Sequence, residues 1–251
     1  MKHIHAIILA AGKGTRMNSA TPKVLHKAKD VPMIDRVLAS IQEICPKPTI
    51  IVGYGAMEVI NHTKNKYRYI FQKEQLGTGH AVMTAKNILF DEAYDALLVL
   101  PGDHPFVESE TLKKLISSHT ERKAMLSIAT LTVPDFFGDF KEFYNCGRVM
   151  RDKNNNILKV IELKDANRKE KKIKEVAVSY YCFNPAWLWK NIGKLKNDNK
   201  AGEFYLTDLV NLAVQNGENV NSIKILNPIE GMGVNTHEQL EVVERHVGNA
   251  L

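Results

Sequence analysis

The chain has 251 residues, 44% of them hydrophobic, and a formal net charge of +6 with a pI near 9.0, enough sequence to bury the core of one large α/β domain over residues 1–251. No apolar run approaches the length of a membrane span and no charged-then-apolar leader opens the chain, so a membrane partner is not expected and a cytoplasmic setting is. Three widely spaced cysteines, Cys45, Cys146 and Cys182, argue against a disulfide framework or a Cys-based zinc site.

The first predicted element is a strand at Ile7-Ile8-Leu9-Ala10, a continuous apolar run of the kind buried on both faces. It breaks into a turn holding Gly12 and Gly14. Glycine lets the backbone approach a ligand and take positive φ, so that successive N–H groups converge on phosphate oxygens. Lys13, Arg16 and Lys23 surround the turn with positive charge, a combination suited to a triphosphate. Two commoner glycine motifs do not fit. A dinucleotide fingerprint needs a third Gly where the chain has Met17, and a Walker A loop needs Ser or Thr directly after its Lys, whereas Gly14 follows Lys13.

Ile34, Val37, Leu38, Ile41 and Ile44 recur at helical spacing, and Thr49 to Gly53 reads as the strand that completes a βαβ start. A short strand at Tyr69 to Gln72 leads through Gly77-Thr78-Gly79 to a helix carrying Ala81, Val82, Ala85, Ile88 and Leu89. Ala96 to Leu100 is a buried strand ending at Pro101-Gly102-Asp103; a helix capped by Ser109 and a strand from Met125 to Val133 follow. This alternation predicts an α/β fold with a doubly wound, mostly parallel, Rossmann-like sheet, which binds ligands beyond the carboxyl ends of its strands.

The second half is less regular. Gly147 to Met150 and Ile157 to Glu162, joined by Asn154-Asn155-Asn156, form a predicted hairpin, and Val176 to Phe183 a strand. Together they predict a small β-rich lid inserted over about residues 140–185. Between them the densest basic run, Arg168 to Lys174, contains Glu170 and no aromatic residue. That is the pattern of a solvated loop, and no nucleic-acid partner is expected. Phe204, Leu206, Leu209, Val210, Leu212 and Ala213 predict a helix stopped by Gly217, and Ile223 to Leu226 a strand. Thr236 with Gln239 forms a capping box for a last helix bearing Leu240, Val243 and Val247. There is no internal repeat and no hexapeptide β-helix array.

Leu9 to Met17 with Pro22 to His26, Gln72 to Val82, Gly102-Asp103, Gly147-Arg148, Gly202 to Asp208 and Gly233-Val234-Asn235 stand in this order. The series resembles the nucleotidyltransferases that make nucleotide sugars. Within them it is most similar to the N-terminal uridylyltransferase domain of the bacterial bifunctional enzyme that produces UDP-N-acetylglucosamine, over essentially the whole chain. The β-helix that carries acetyl transfer in that family has no counterpart in this sequence, so acetyl transfer is not expected, and a monomer or dimer is.

The resemblance implies that Leu9, Ala10, Ala11, Gly12, Gly14 and Gly102 lie against the nucleotide, that Lys23 reaches its phosphates, and that Gln72, Gly77 and Thr78 read uracil. It implies that Asp103 and Asn235 hold Mg²⁺, a hard cation served by oxygen ligands and substrate phosphates. Gly147 and Glu162 are implied sugar contacts. The implied partners are UTP and a sugar 1-phosphate, which attacks the α-phosphorus while pyrophosphate leaves. No general base is required, because a phosphate monoester with a second pKa of about 6 is already largely dianionic at neutral pH. Arg16, Lys23 and the metal at Asp103 are the expected catalytic groups, stabilising charge on the phosphates. His26 and His80, which flank this site, are expected to position or pack.

The acceptor side departs from the family. Ala177-Val178-Ser179 stands where the family has Asn-Thr-Gly, Asn145-Cys146 where it has Gly-Tyr, and Pro101 precedes Gly102-Asp103. Ala177 offers none of the hydrogen bonds of Asn, and a site built to hydrogen-bond one substrate discriminates strongly when a partner is lost. The first expectation is uridylyl transfer to N-acetylglucosamine 1-phosphate. The alternatives are the same chemistry with a different nucleotide and sugar phosphate, and a non-catalytic nucleotide-sugar sensor.

Overall fold

A computed structural model describes residues 3–248. Strand β1 (Ile4–Ala10) is followed by a short hairpin, β2 (Lys27–Ala28) and β3 (Val31–Pro32), then α1 (Met33–Ser40), β4 (Thr49–Val52), α2 (Ala56–His62), β5 (Arg68–Phe71), α3 (Thr78–Leu89), β6 (Ala96–Pro101), α4 (Ser109–Glu121) and β7 (Leu126–Thr132). The second half adds β8 (Arg148–Arg151), β9 (Ile157–Ile161), β10 (Glu175–Phe183), α5 (Pro185–Asn191), α6 (Asp208–Gln215), β11 (Val220–Lys224) and α7 (His237–Gly248).

The main sheet runs β11-β7-β10-β6-β1-β4-β5. Neighbours are parallel except at β10, which is antiparallel to both β6 and β7. This is the mixed, mostly parallel α/β sheet that the strand–helix alternation predicts. The side chains of each central strand alternate between two cores. Ile7, Leu97 and Val99 join the layer of α3, α5 and α6, and Ile8, Leu98 and Leu100 join that of α1 and α4. All six are fully buried, at about 1.5–3 kcal/mol of hydrophobic stabilisation per side chain. That is why these strands read as unbroken apolar runs.

The expected lid boundaries require correction. Of the strands expected in the lid, β8 and β9 stand off the main path, attached through β8 to β10, whereas β10 lies in the middle of the sheet. Its residues alternate between the two cores, Val176, Tyr180 and Cys182 on one side, Tyr181 and Phe183 on the other. An apolar strand of nine residues needs two covered faces, which a lid over an open edge does not provide.

Three element boundaries also differ. Ser109 is the first helical residue of α4, and Glu108, in extended backbone, precedes it as the cap position. The expected helix from Phe204 begins only at Asp208. Its first residues hydrogen-bond sideways to the start of α3 instead: Phe204 N to Leu76 O and Gly79 N to Phe204 O at 2.8 Å each, and Leu206 N to Thr78 Oγ1 at 3.1 Å. The strand expected at Ile223 to Leu226 is β11, and Leu226 beyond it is 83% exposed. The capping box of α7 forms as expected, with Gln239 N donating to Thr236 Oγ1 at 3.2 Å and Thr236 N to Gln239 Oε1 at 3.1 Å. The side chains of Val243 and Val247 lie outside the described residues. Among the described residues no helix is long and apolar enough to cross a membrane.

Candidate active site

The carboxyl ends of β1, β5 and β6 open into a cavity of about 470 Å³. Leu9, Ala10, Ala11 and Gly12 line one wall, Gln72, Gly77 and Thr78 another, and Arg16, Lys23, Asp103 and Asn235 lie along it. The acceptor-side candidates Gly147, Glu162 and Ala177 line the same space. Residues more than 200 positions apart in sequence therefore meet in one crevice, where a doubly wound sheet places its ligands.

Gly14 and Gly102 lie beside the residues that line the cavity, each against a neighbouring part of the chain. Gly14 takes the left-handed conformation, φ 59°, and a Cβ there would lie 2.8 Å from Lys23 Cβ, so this glycine makes room for the stem of the lysine. Gly102 rests on β1, its N–H donating to Leu9 O at 2.8 Å. Gly12 is different: a Cβ there would meet no atom within 4 Å, because its open face is the cavity itself.

The charged centre is a three-residue link. Lys23 Nζ bonds Asp103 Oδ2 and, at 2.9 Å, Asn235 Oδ1. Burial alone would raise the Asp103 carboxyl. The Lys23 ammonium, nearby His104 and the Lys23 hydrogen bond outweigh that and hold it below the usual carboxylate range. One ammonium thus shows that a single cation is served by both oxygens. Hard oxygens converging on one point charge fit a divalent cation of the Mg²⁺ kind, which takes one or two protein ligands and completes its shell with water and substrate phosphates. Among the described residues no group of three or more His, Cys, Asp or Glu is placed to hold a metal. Arg16 is exposed at the cavity.

Near the start of α3, Gln72 is buried and its NH₂ is committed on both sides, to Gly77 O at 3.1 Å and His80 Nδ1 at 3.0 Å. Gln75 Nε2 in turn donates to Gln72 O at 3.1 Å. His80 thus holds one side of the Gln72 amide. His26 is also a packing residue, its ring 5.6 Å from that of His237 and its imidazole pushed down chiefly by burial. The Thr78 hydroxyl accepts from Leu206 N at 3.1 Å and keeps its own hydrogen to donate.

At the acceptor end, Glu162 accepts from Thr207 Oγ1 at 2.8 Å. Burial raises its carboxyl, against that hydrogen bond and with added repulsion from Asp208, Asp165 and Glu203. Arg148, fully buried in β8, feels the Glu162 carboxylate electrostatically; it donates to the carbonyls of Tyr144 at 2.8 Å, Cys146, and Lys171 at 3.4 Å, and stacks on Phe136. Ala177 faces the cavity from β10, where the ladder shifts register between Val178 and Tyr181.

His104, Tyr181, Glu142 and Gln239 line the cavity without having been singled out as site residues. Gln239 had a visible signal, the capping box, but its second use was hidden: Oε1 accepts from Asn235 N and Nε2 donates to Glu142. His104 follows Asp103 directly. Burial pushes its imidazole down to about 4 against the pull of Asp103.

A glycine-lined crevice at the carboxyl ends of such a sheet places the chain among the Rossmann-like α/β proteins. It belongs to the MobA-like NTP transferase domain family, which matches residues 6–203. It is 40% identical over 237 residues to the bifunctional protein GlmU of Latilactobacillus sakei, covering 94% of this chain and 49% of that protein. The GlmU proteins of Clostridium novyi (39% over 258 residues; 98% and 54%) and Streptococcus uberis (38% over 241 residues; 96% and 51%) are similar in the same way. The chain spans about half the length of the curated relatives it matches.

Proposed function

We propose that the protein transfers UMP from UTP to a sugar 1-phosphate, N-acetylglucosamine 1-phosphate foremost, giving a UDP-sugar and pyrophosphate. The observation that carries this reading is the Lys23 ammonium shared by Asp103 and Asn235 at the edge of the Gly12 wall. A cation site next to an open backbone cradle is what a triphosphate and its counter-ion require. The GlmU relatives support the same family of reactions.

Each residue then has a defined task. Gln72, with both side-chain amide hydrogens engaged, presents its side-chain Oε1 to accept from a ligand. Uracil presents an N3–H there, whereas cytosine presents an acceptor at the same position, so this amide favours UTP over CTP. The backbone of Leu9 to Gly12 approaches the nucleotide, and Lys23 with Arg16 neutralises the phosphates. Asp103 and Asn235 are the residues that hold Mg²⁺, which when bound polarises the phosphoryl oxygens and lowers the cost of charge at the leaving pyrophosphate. Gly147 and Glu162 orient the sugar so that its phosphate approaches the α-phosphorus in line with the departing group. The acceptor phosphate needs no base to activate it.

Ala177 favours a second reading in which the chemistry stands and the acceptor differs, because β10 offers a methyl group where an amide is expected to meet the sugar. The test is pyrophosphate release with Mg²⁺ across a panel pairing UTP, CTP, GTP, ATP and dTTP with 1-phosphates of N-acetylglucosamine, glucosamine, glucose, galactose and mannose. Selective turnover of UTP with N-acetylglucosamine 1-phosphate is the expected result. Another preferred sugar moves the specificity to the Ala177 reading, and binding of UTP or UDP-sugar without turnover of any pair contradicts enzymatic function.

A further inference from the structure

Behind Asp103 a chain of contacts crosses from β6 through β10 to the loop that carries Asn235, and the proposed reaction makes no direct use of it. Tyr180 is fully buried in β10, and its hydroxyl donates its one proton to the carbonyl of Glu230. Towards His104 Nδ1, 3.1 Å away, the same hydroxyl must therefore accept, so Nδ1 carries a hydrogen. The other edge of the imidazole lies against Gly233: a Cβ on that glycine would sit 2.6 Å from Nε2 and 3.0 Å from Cδ2. The backbone at residue 233 thus rests directly on the ring. One residue later Val234 N donates to Asp103 O at 3.0 Å, and then comes Asn235, joined to Asp103 through Lys23.

We propose that His104 is a positioning residue that, through Tyr180 and Gly233, sets the distance between Asn235 and Asp103. The segment from Glu230 to Asn235 is tied at Glu230 by Tyr180, at Gly233 by the imidazole and at Val234 by the Asp103 carbonyl. The imidazole touches two of those ties. Mg²⁺ demands near-ideal octahedral geometry, so a displacement of Asn235 by a fraction of an ångström is felt as lost metal affinity. Groups that orient metal ligands typically account for about 10–100-fold in affinity. The inference rests on the reading of Asp103 and Asn235 as the metal pair.

The experiment titrates Mn²⁺ into the protein and follows it by electron paramagnetic resonance, comparing wild type with Tyr180→Phe, His104→Gln and Asp103→Asn. Tyr180→Phe keeps the ring and removes only the hydroxyl, so it holds the fold where a larger change at His104 fails to. Expected is a loss of Mn²⁺ affinity of about tenfold in Tyr180→Phe and in His104→Gln, with UTP affinity in the absence of metal unchanged and turnover recovered by excess Mg²⁺. Mn²⁺ binding lost in Asp103→Asn but intact in the other two variants overturns the positioning role. A lower melting temperature with intact Mn²⁺ affinity does the same, since it marks a structural role only. No saturable Mn²⁺ binding by wild type, or equal binding by Asp103→Asn, overturns the metal-pair reading itself.

Discussion

Lys23 does two jobs at the same atom. Its ammonium neutralises a buried carboxylate and at the same time marks where a cation sits between Asp103 and Asn235. Removing one partner of a buried pair leaves the other uncompensated, which is more costly than losing both. Lys23→Ala is therefore expected to cut pyrophosphate release by about a hundredfold or more and to lower the melting temperature; Lys23→Ala with Asp103→Ala should regain the melt and not the turnover. Equal melting of the single variant and wild type would show that the ion pair contributes no stability. At Gln72, glutamate would set a carboxylate oxygen against the Gly77 carbonyl, so Gln72→Glu should weaken UTP binding and narrow the preference for UTP over CTP in a competition assay. Unchanged discrimination would remove Gln72 from base reading. At this scale Lys23, Asp103, Asn235 and Gln72 were legible because each stands in a short ordered motif. Gly14 and Gly102 also show a use the sequence hides, since a glycine making room for a neighbouring side chain or strand looks, in sequence, like one serving a ligand. His104 was not legible, since its importance is conferred by Tyr180 and Gly233, which only the fold brings to it.

Among the elements, the parallel half of the sheet was readable from apolar runs alternating with helical periods, whereas β10 was assigned to the lid and lies in the middle of the sheet. A nine-residue apolar strand says that both its faces are covered, but not which strands flank it or in which direction it runs. The late start of α6 has a similar origin: apolar spacing from Phe204 onward fits a helix, and the hydrogen bonds of Phe204 and Leu206 to the α3 entry override it. Those bonds also bring the Gly202 to Asp208 segment beside the cavity, where Thr207 reaches Glu162. Arg148 performs the corresponding task at β8, gathering the carbonyls of Tyr144, Cys146 and Lys171 around one guanidinium. Methionine at this position retains apolar volume and no donors. Arg148→Met is expected to raise the KM for the sugar phosphate several-fold while the KM for UTP stays put, measured in steady-state kinetics. A parallel rise in both would show that the guanidinium supports the fold as a whole rather than the acceptor side.

Across the molecule, stability should depend on pH through the buried His5, which bonds Thr49 Oγ1 at 2.9 Å and stacks on Tyr94. Burial pushes its pKa from 6.5 down to about 4, the nearby Glu92 only partly opposing. Between those values the unfolded chain binds a proton that the folded protein does not, so stability is fully present above pH 6.5 and is lost as pH falls towards 4. The slope from this one group reaches up to about 1.4 kcal/mol per pH unit. Chemical denaturation at pH 7, 6 and 5 should show a decline that His5→Gln makes shallower, the buried His104, also pushed down to about 4, keeping part of it; an equal decline in that variant would place the proton uptake elsewhere.

In the proposed reaction the crevice joins a nucleotide to an acceptor at the α-phosphorus, and the fate of each phosphorus distinguishes it from hydrolysis. With UTP labelled at either the α- or the γ-phosphate, Mg²⁺ and N-acetylglucosamine 1-phosphate, α-label is expected in the UDP-sugar and γ-label in pyrophosphate. Label released as inorganic phosphate with UDP, or α-label in free UMP without a UDP-sugar, would contradict it.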